Sequence, residues 1–448
     1  MKQFLLFIGL VFFLSNTNSV QAQSGFEFPS KSQKRKISFE LINNLIVIPI
    51  KINGTTFSFI LDSGVNRTIL FNNDLISILE LKNKRTVNLR GFSNAESIKA
   101  FKVTADLFEI DRLKSYNHEI LLLEDENLSF SQRMGAQIDG IIGASLFKDF
   151  KITVNYNLEN IKIEQSEDKT TFCKRCSILP IRLRNSKPLV NASFTQENGE
   201  TIHGDFLIDS GSSDALWLFD QHKKIKKPTA SFPDFLGIGI NGDIFGDRSK
   251  VPLFHIGDFS LKEVKTAFPD RLGTYKILID TNRIGSIGGE LLKRFKVTFD
   301  YPNRQIILKK NSKTYDRFYY NLSGIELQYK GESLVKERVS SFRVNDTFED
   351  ENENQSQNRG TKIYLTQLYR LRFRPIIEII HLRSESPAAQ AGLKKGDVIT
   401  SVNGKSVGVI NLQEIMHQFQ RKPGVKIRLG ILRNGVKLKY RFVLKSLF

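Results

Sequence analysis

Long apolar runs are almost absent from this sequence. The one pronounced run, Phe4–Leu14, follows Lys2 and is too short for a permanent membrane-spanning helix, which needs about 20 residues. A polar stretch then leads to Val20-Gln21-Ala22, a small-residue cleavage pattern, and no cysteine nearby is available to accept a lipid. We therefore expect residues 1–22 to be a cleaved signal peptide. The mature chain is expected to be exported, periplasmic or secreted, without a transmembrane anchor.

Cysteine is equally scarce. The 448 residues contain 2 Cys, and both, Cys173 and Cys176, lie in one Phe-Cys-Lys-Arg-Cys segment. A closed zinc site usually takes four ligands, and no Cys or His partners stand at suitable spacing. A redox pair of this kind is expected beside a βαβ pattern, which the sequence does not contain. In an exported protein we expect a small local disulfide here, with a reactive pair as the alternative.

Acidic residues are outnumbered by basic ones. The net charge is +19, and from residue 360 onward 17 Lys and Arg face 4 Asp and Glu. A basic surface can bind nucleic acid, anionic membranes or acidic proteins, whereas the plainer alternative is a solvated basic surface. Because export is expected and no nucleic-acid motif is found, nucleic acid is not an expected partner.

Two similar segments stand out from the rest of the chain. Apolar residues lead directly into Asp62-Ser63-Gly64, and the same pattern leads into Asp209-Ser210-Gly211. A carboxylate between buried β-type segments is costly unless it is paired and hydrogen-bonded. A lone Asp-Ser-Gly is weak evidence, because it is common at turns. Two copies suggest a pair of carboxylates that share one site.

The similarity continues downstream of both triplets. Gly140–Phe150 resembles Gly285–Phe295, and each is followed by a Lys-apolar-Thr-apolar-Asn/Asp-Tyr segment. The two aspartates are 147 residues apart, and the glycines Gly143 and Gly288 are 145 apart. A nearly constant register of this kind indicates an internal repeat and therefore two homologous units.

An Asp-Ser-Gly after apolar residues, followed much later by apolar-apolar-Gly, resembles the aspartic peptidases of the pepsin and retropepsin families. The resemblance covers roughly residues 38–310, and Ser286 departs from it where an apolar residue is usual. It implies a mainly β fold with two homologous β-lobes, at residues 37–165 and 177–310. A chain with both lobes is expected to act as a monomer in catalysis.

The resemblance also implies a mechanism and its residues. Asp62 and Asp209 would be the catalytic pair, which shares a proton and activates a water to hydrolyse a peptide bond. Neither a metal nor another cofactor is expected. The residues expected to support the pair, by holding the turns and bridging the lobes, are Ser63, Gly64, Ser210 and Gly211.

A hairpin over residues 86–103 falls where the substrate-covering flap of this family lies. Gly91 and Phe92 are the flap candidates. The flap tyrosine of pepsin-like enzymes has no clear counterpart, and the Phe92 side chain cannot donate a hydrogen bond. The details of flap chemistry are therefore expected to differ from those of pepsin.

The pattern changes from about residue 315. Ser384–Lys405 contains Ser-Pro-Ala, Ala-Gly-Leu, Gly-Asp-Val-Ile and Val-Asn-Gly, and it resembles the PDZ signature. The resemblance implies a small α+β, barrel-like domain over residues 315–448 that binds C-terminal peptides. Its groove needs a strand edge and a loop of free backbone N–H groups. The candidate residues for this site are Leu322, Gly324, Ile325 and Leu327.

Two further expectations concern this C-terminal region. Val335–Arg359 is rich in Glu, Asn, Gln and Ser, and is expected to be a disordered insertion, or alternatively to fold back on the basic surface. His381 and His417 have no Ser or Cys nucleophile in a recognisable setting, so the region is expected to position substrate without performing chemistry. A chain that ends near Lys310 would then still cleave short peptides.

The sequence is compatible with three functions. The first is an active aspartic endopeptidase whose PDZ domain recruits peptide or protein substrates. The second is a catalytically inactive scaffold that binds peptides in the cleft and the PDZ groove. The third is a PDZ adaptor with purely structural lobes. The intact Ser-Gly after both aspartates favours the first.

Overall fold

The computed structural model describes residues 25–29, 33–71, 78–89, 98–123, 130–166, 173–239, 242–270, 283–344 and 363–447. Strands dominate these ranges, which confirms the mainly β fold class. Among the residues described, no helix is long and apolar enough to cross a membrane. The disulfide expected between Cys173 and Cys176 is present.

The first part of the chain forms a highly twisted set of short strands. Its alternating sequences explain them: in Leu45–Ile52 the apolar side chains are buried and the two residues that break the run, Pro49 and Lys51, are exposed. Asn53 and Gly54 both have positive φ, as a tight two-residue hairpin turn requires. The elements are β1 Lys34–Ser38, β2 Glu40–Ile42, β3 Leu45–Ile52, β4 Thr55–Leu61, β5 Ile69–Phe71, β6 Lys82–Leu89, β7 Ile98–Ile110, β8 Leu113–Leu123, α1 Phe130–Met134, β9 Gly140–Ile142, α2 Ala144–Phe147, β10 Phe150–Asn155 and β11 Asn160–Gln165.

The second part repeats this arrangement. Its elements are β12 Cys176–Arg184, β13 Lys187–Thr195, β14 Thr201–Asp209, β15 Leu216–Leu218, β16 Phe232–Gly239, β17 Gly242–Ile256, β18 Phe259–Pro269, β19 Arg283–Gly288, α3 Gly289–Leu292, β20 Phe295–Asp300 and β21 Gln305–Lys310. The first lobe (β2–β9) has the order β3-β4-β9-β5-β8-β7-β6, and the second lobe (β13–β19) has the matching order β13-β14-β19-β15-β18-β17-β16.

The lobes are joined by a shared sheet of order β1-β11-β10-β20-β21-β12. At its centre β10 pairs with β20, and Thr153 lies opposite Thr298, its own counterpart in the repeat. Their hydroxyl oxygens are 2.9 Å apart. An approximate twofold axis therefore passes between these two residues. Phe147 packs on Phe299 below the sheet, inside a core to which both lobes contribute.

The C-terminal unit (β22–β27 with α4 and α5) has its own sheet and core. Its elements are β22 Ile325–Val344, β23 Ile363–Leu382, α4 Pro387–Gln390, β24 Val398–Val402, β25 Lys405–Ser406, α5 Leu412–Phe419, β26 Lys426–Arg433 and β27 Val436–Val443. Asn411 and Glu414 form a capping box that fixes the start of α5. In the sheet, β22 is an edge strand beside β23.

The expectation of a disordered insertion at 335–359 is wrong for its first part. Residues 335–344 continue β22 and pair in register with 363–372 of β23. In the backbone register, Val335 lies opposite Arg372, and Glu337 lies opposite Arg370. The acidic run Glu349–Glu353 lies outside the described residues.

The C-terminal unit packs against the second lobe through β16. Phe232 is buried in the core of the C-terminal unit, with its ring centroid 5.2 Å from that of Tyr320. The Arg383 guanidinium lies 4.4 Å from the centroid of the Phe232 ring. The same guanidinium is 3.5 Å from Asp234, which also accepts a hydrogen bond from Arg248. Apolar and ionic contacts thus anchor the unit to β16.

Candidate active site

Asp62 and Asp209 stand at equivalent ends of parallel-paired strands. β4 runs parallel to β9, and the Asp62 N–H donates to the Ile142 carbonyl at 2.9 Å. In the second lobe β14 runs parallel to β19, which sets Asp209 beside Gly288. The repeats seen in the sequence therefore place both carboxylates near the twofold axis.

The glycine of each triplet lies against the carboxylate of the opposite lobe. A Cβ added to Gly64 would be 2.6 Å from Asp209 Oδ1 and 3.1 Å from Asp62 Oδ1. A Cβ added to Gly211 would overlap the Asp62 carboxyl group. Both positions therefore require glycine because the facing carboxylate leaves no room for a side chain.

Ser63 and Ser210 connect the lobes through a reciprocal set of hydrogen bonds. Each backbone N–H donates to the other serine's hydroxyl oxygen, at 2.9 Å for Ser63 and 3.0 Å for Ser210. Each hydroxyl in turn donates across the interface, to the Ile208 and Leu61 carbonyls, at 2.8 Å in both cases. All four bonds are buried, so they fix the relative position of the two turns.

The surroundings of Asp62 favour a protonated carboxyl group. Asp62 is only 7% exposed. Burial and the neighbouring charge of Asp209 raise the pKa of Asp62 to about 8, although the Gly64 N–H and Lys187 act in the opposite direction. Two adjacent carboxylates in a buried site cannot both ionise easily, so the pair holds one proton at neutral pH.

A cavity of about 820 Å³ opens over the aspartate pair. Both lobes line it, and so does the C-terminal unit. Residues from the C-terminal unit that reach it include Glu326, Leu327, Ile380, Gln413, Met416 and His417. The volume lies within the range of about 300–1,000 Å³ common for ligand sites.

The β16–β17 hairpin forms part of the cavity wall, and its tip is fixed from two directions. Asp243 accepts two hydrogen bonds from Arg133 of α1, at 3.0 and 3.1 Å. His381 of β23 lies 3.2 Å from Asp243 and stacks on Phe235. By strand order this hairpin is the counterpart of β6–β7, the hairpin that carries the flap candidates.

The sequence reading missed a buried ionic group next to the pair. Asp214 accepts hydrogen bonds from Trp217 at 2.8 Å and from Arg248 at 2.7 Å, and Lys265 lies 3.5 Å away. Burial alone would raise the Asp214 pKa, but the two cations hold it below its ordinary value. The sequence does contain a signal for this group. Lys265 is a charged residue within a strand sequence, and a buried charge is normally paired with an opposite one.

The other predicted site residues have mixed outcomes. Gly91 and Phe92 lie outside the described residues. Leu322, Gly324 and Ile325 are buried within the C-terminal unit and do not line the cavity. The loop that contains them packs against its own side chains. Leu327 is the member of that group that lines the cavity.

Comparison with known families agrees with this architecture. A family model described as aspartyl protease matches residues 48–146, and one described as PDZ domain matches residues 348–442. The chain therefore carries a protease domain followed by a C-terminal PDZ domain. The protease match contains Asp62 and its triplet, and ends just after the first distal glycine, Gly143.

Curated proteins match over short stretches. The chain is 42% identical over 62 residues to the periplasmic pH-dependent serine endoprotease DegQ of Escherichia coli, which is 14% of this chain and 13% of DegQ. It is 41% identical over 59 residues to a probable CtpA-like serine protease of Staphylococcus saprophyticus, 13% of this chain and 12% of that protein. For the carboxy-terminal processing protease CtpA of Bacillus subtilis the match is 45% over 51 residues, 11% of each chain. The chain thus spans about an eighth of the length of these relatives.

Proposed function

We propose that this protein is an aspartic endopeptidase of the bilobal type, with Asp62 and Asp209 as its catalytic pair. The observation that carries the proposal is the reciprocal Ser63–Ser210 hydrogen bonding, which keeps the buried Asp62 carboxyl and the half-buried Asp209 carboxyl close together near an approximate twofold axis. The cavity above them supplies room for a polypeptide. Two of the relatives are named serine proteases, but their matches cover too little of either chain to determine the reaction type here.

The pair would act through a water bound between the two carboxyl groups. The ionised carboxylate takes a proton from the water, whose oxygen bonds to the scissile carbonyl carbon, while the protonated carboxyl donates its proton to the carbonyl oxygen. When the tetrahedral intermediate collapses, the second carboxylate takes back a proton from one of its two hydroxyl groups, the C–N bond breaks, and the amine leaves with a proton from the first carboxyl. The pair then again holds one proton. General acid–base help of this kind is typically worth about 10²–10⁴-fold.

Export is part of the proposal. The first 22 residues have the pattern of a signal peptide, and one relative is named as a periplasmic enzyme. We place the mature protein outside the cytoplasm, in the periplasm or secreted, where it would act on peptide or protein substrates.

The catalytic pair is tested with Asp62→Asn and Asp209→Asn, alone and together, in the chain that begins at Gln23. Each single variant is expected to lose cleavage of a quenched-fluorescent peptide library by at least about 10³-fold. The double variant should be hardly worse, because residues that act as a unit have non-additive effects. Asp258→Asn, at an exposed turn of the second lobe, is the matched control.

The inactive-scaffold alternative has a distinct signature in the same experiment. A scaffold would cleave nothing even as wild type, yet would bind the peptides. Half-normal cleavage by either single variant would remove the shared-proton mechanism. Thermal unfolding of each variant checks that the loss is chemical, since asparagine keeps the size of the aspartate side chain.

A further inference from the structure

We infer that the groove between β22 and α5 binds an internal, extended segment of the same polypeptide that is cut at the aspartate pair, and that it does not bind a free C-terminus. The inference rests on the proposed peptidase function and adds a substrate-binding extension on the C-terminal unit. Three separate observations support it: a shared cavity, a loop without free donors and an edge strand.

The first observation is that the groove and the aspartate pair belong to one cavity. Gln413, Met416, His417 and Gln420 follow one face of α5, at the spacing that places side chains on the same side of a helix. All four line the cavity that also contains Asp62 and Asp209. A chain lying along α5 therefore leads to the scissile position without leaving the cavity.

The second observation is that the loop predicted to bind a terminal carboxylate has no N–H group left for one. The Asn321 side-chain oxygen accepts from the N–H groups of Ser323 and Gly324, at 3.1 and 3.2 Å, as a bound carboxylate would. The N–H of Ile325 donates to the Ser323 hydroxyl, at 3.1 Å. The N–H of Leu322 donates to the Phe419 carbonyl at the end of α5, at 3.0 Å.

Burial makes this arrangement hard to displace. Ser323 has no exposed surface, and Asn321 is 8% exposed. The Asn321 amide nitrogen also donates to the Ile325 carbonyl at 2.6 Å, so the side chain is held at both ends. A ligand carboxylate would first have to break these buried hydrogen bonds. Its own hydrogen bonds to the loop would replace the broken ones and give no net gain in binding free energy.

The third observation concerns the strand beside the loop. Among the described residues β22 is the edge strand of its sheet, paired with β23 on one side, and α1 of the first lobe also lies close to it. An edge strand can accept an added extended segment through main-chain hydrogen bonds. The cavity is also lined by apolar side chains from β22, β23, α5 and β16, namely Leu327, Ile380, Met416, Leu236 and Ile238. The segment that fits is extended, apolar at alternate positions and continuous with the scissile bond.

Binding is measured separately from cleavage, in the full chain from Gln23 with Asp209→Asn. The probes are fluorescein-labelled peptides of about ten residues, which span roughly 33 Å when extended, with apolar residues at alternate positions. They are made with a free C-terminus and with an amidated one, beside peptides of about four residues. Fluorescence anisotropy gives the affinity, and the variants in this background are Met416→Glu, Met416→Leu and Val409→Glu.

Met416→Glu is expected to weaken binding of the long peptides by at least about tenfold, because it places an unpaired charge on an apolar wall. Met416→Leu keeps the volume and should bind as before. Val409→Glu serves as the charge control, since Val409 is 77% exposed and does not line the cavity. Free and amidated peptides should bind equally, and the short peptides should not distinguish the variants.

Two results would overturn the inference. One is loss of binding on amidation, which would mean recognition of a terminal carboxylate. The other is equal binding by Met416→Glu and Met416→Leu, or equal weakening for short and long peptides. If Met416→Glu fails to fold, His417→Glu introduces the same charge at an exposed position on the same helix face. Failure of the peptidase proposal appears separately, as no cleavage by the wild type.

Discussion

At the scale of single residues, the Asp62 carboxyl group determines the pH range in which the proposed enzyme would work. The proposed mechanism requires the pair to hold one shared proton. Since burial and Asp209 raise the Asp62 pKa to about 8, that proton is retained through neutral pH and lost above it.

We therefore expect a bell-shaped pH profile of kcat/KM whose alkaline limb falls near pH 8, well above the upper value of about 4.7 known for pepsin. The described surroundings of Asp62 would therefore extend the activity of the proposed enzyme to neutral pH. The profile is measured between pH 3 and 10 with one peptide. An alkaline limb below pH 6 would contradict the assigned environment.

A second residue, His118, makes the fold sensitive to acid. It is buried, with one ring nitrogen 2.9 Å from Thr68 Oγ1 and the other 2.9 Å from Ser115 Oγ. Burial, aided by the charge of Lys148, lowers its pKa to about 4. Because the unfolded histidine titrates near 6.5, the unfolded state binds more protons between these values, and stability falls as the pH drops through them.

His118→Leu should therefore flatten the pH dependence of unfolding. In the wild type we expect the free energy of unfolding to decrease by up to about 3 kcal/mol between pH 6.5 and 4 from this group. The variant will be less stable at pH 7, since two hydroxyl groups lose a partner, but it should lose much less on acidification. Urea unfolding at several pH values measures both quantities. Equal slopes would exclude His118 as the acid-sensitive group.

At the scale of elements, the sequence predicted what depends on local pattern. Alternating apolar and polar residues account for β3 and β4, and Asn53-Gly54 accounts for their turn. The repeated triplets predicted that Asp62 and Asp209 would meet, because equivalent positions in homologous lobes face each other across a twofold axis. Contacts between distant segments could not be predicted this way. Asn321 bonds to the N–H groups of its own loop, and Asp243 contacts both Arg133 and His381. Both arrangements depend on tertiary packing, which leaves no periodic pattern in the sequence.

The tip of the β16–β17 hairpin offers a test at this scale. Asp243→Ala removes its contacts with both Arg133 and His381, so the tip should open more easily, by about 1 kcal/mol for partly exposed pairs of this kind. Hydrogen exchange in peptides covering Phe235–Ile244 should become faster. Asp247→Ala lies farther along β17 and removes a pair with Lys227, which precedes β16, so it should leave exchange at the tip unchanged. Unchanged exchange in Asp243→Ala would mean that other contacts hold the hairpin.

At the scale of the whole molecule, the C-terminal unit and the second lobe share a side chain. Phe232 belongs to β16 but is buried in the core of the C-terminal unit, where Arg383 covers its ring. The sequence suggested that a chain ending near Lys310 would be self-sufficient. The structure gives a different expectation, because such a chain would expose Phe232 and lose one wall of the cavity.

This shared side chain should make unfolding cooperative. The wild type is expected to unfold in one calorimetric transition. Phe232→Ala should cost about 3–5 kcal/mol, as large-to-small changes in cores do, and should split the transition so that the C-terminal unit unfolds first. Phe254→Ala, buried wholly within the core of the two lobes, should lower the main transition without separating the C-terminal unit in this way. A single transition in Phe232→Ala would mean that the unit couples through other contacts.

The approximate twofold axis between Thr153 and Thr298 has a consequence for the direction of a bound chain. A site built from two equivalent lobes alone would accept a peptide in either orientation, and a ligand with two identical arms would fit it equally well when turned around. The C-terminal unit, in contrast, has no second copy related by that axis among the described residues. It makes the two orientations inequivalent, so a palindromic inhibitor would find its two arms in different surroundings and would lose contacts with one of them.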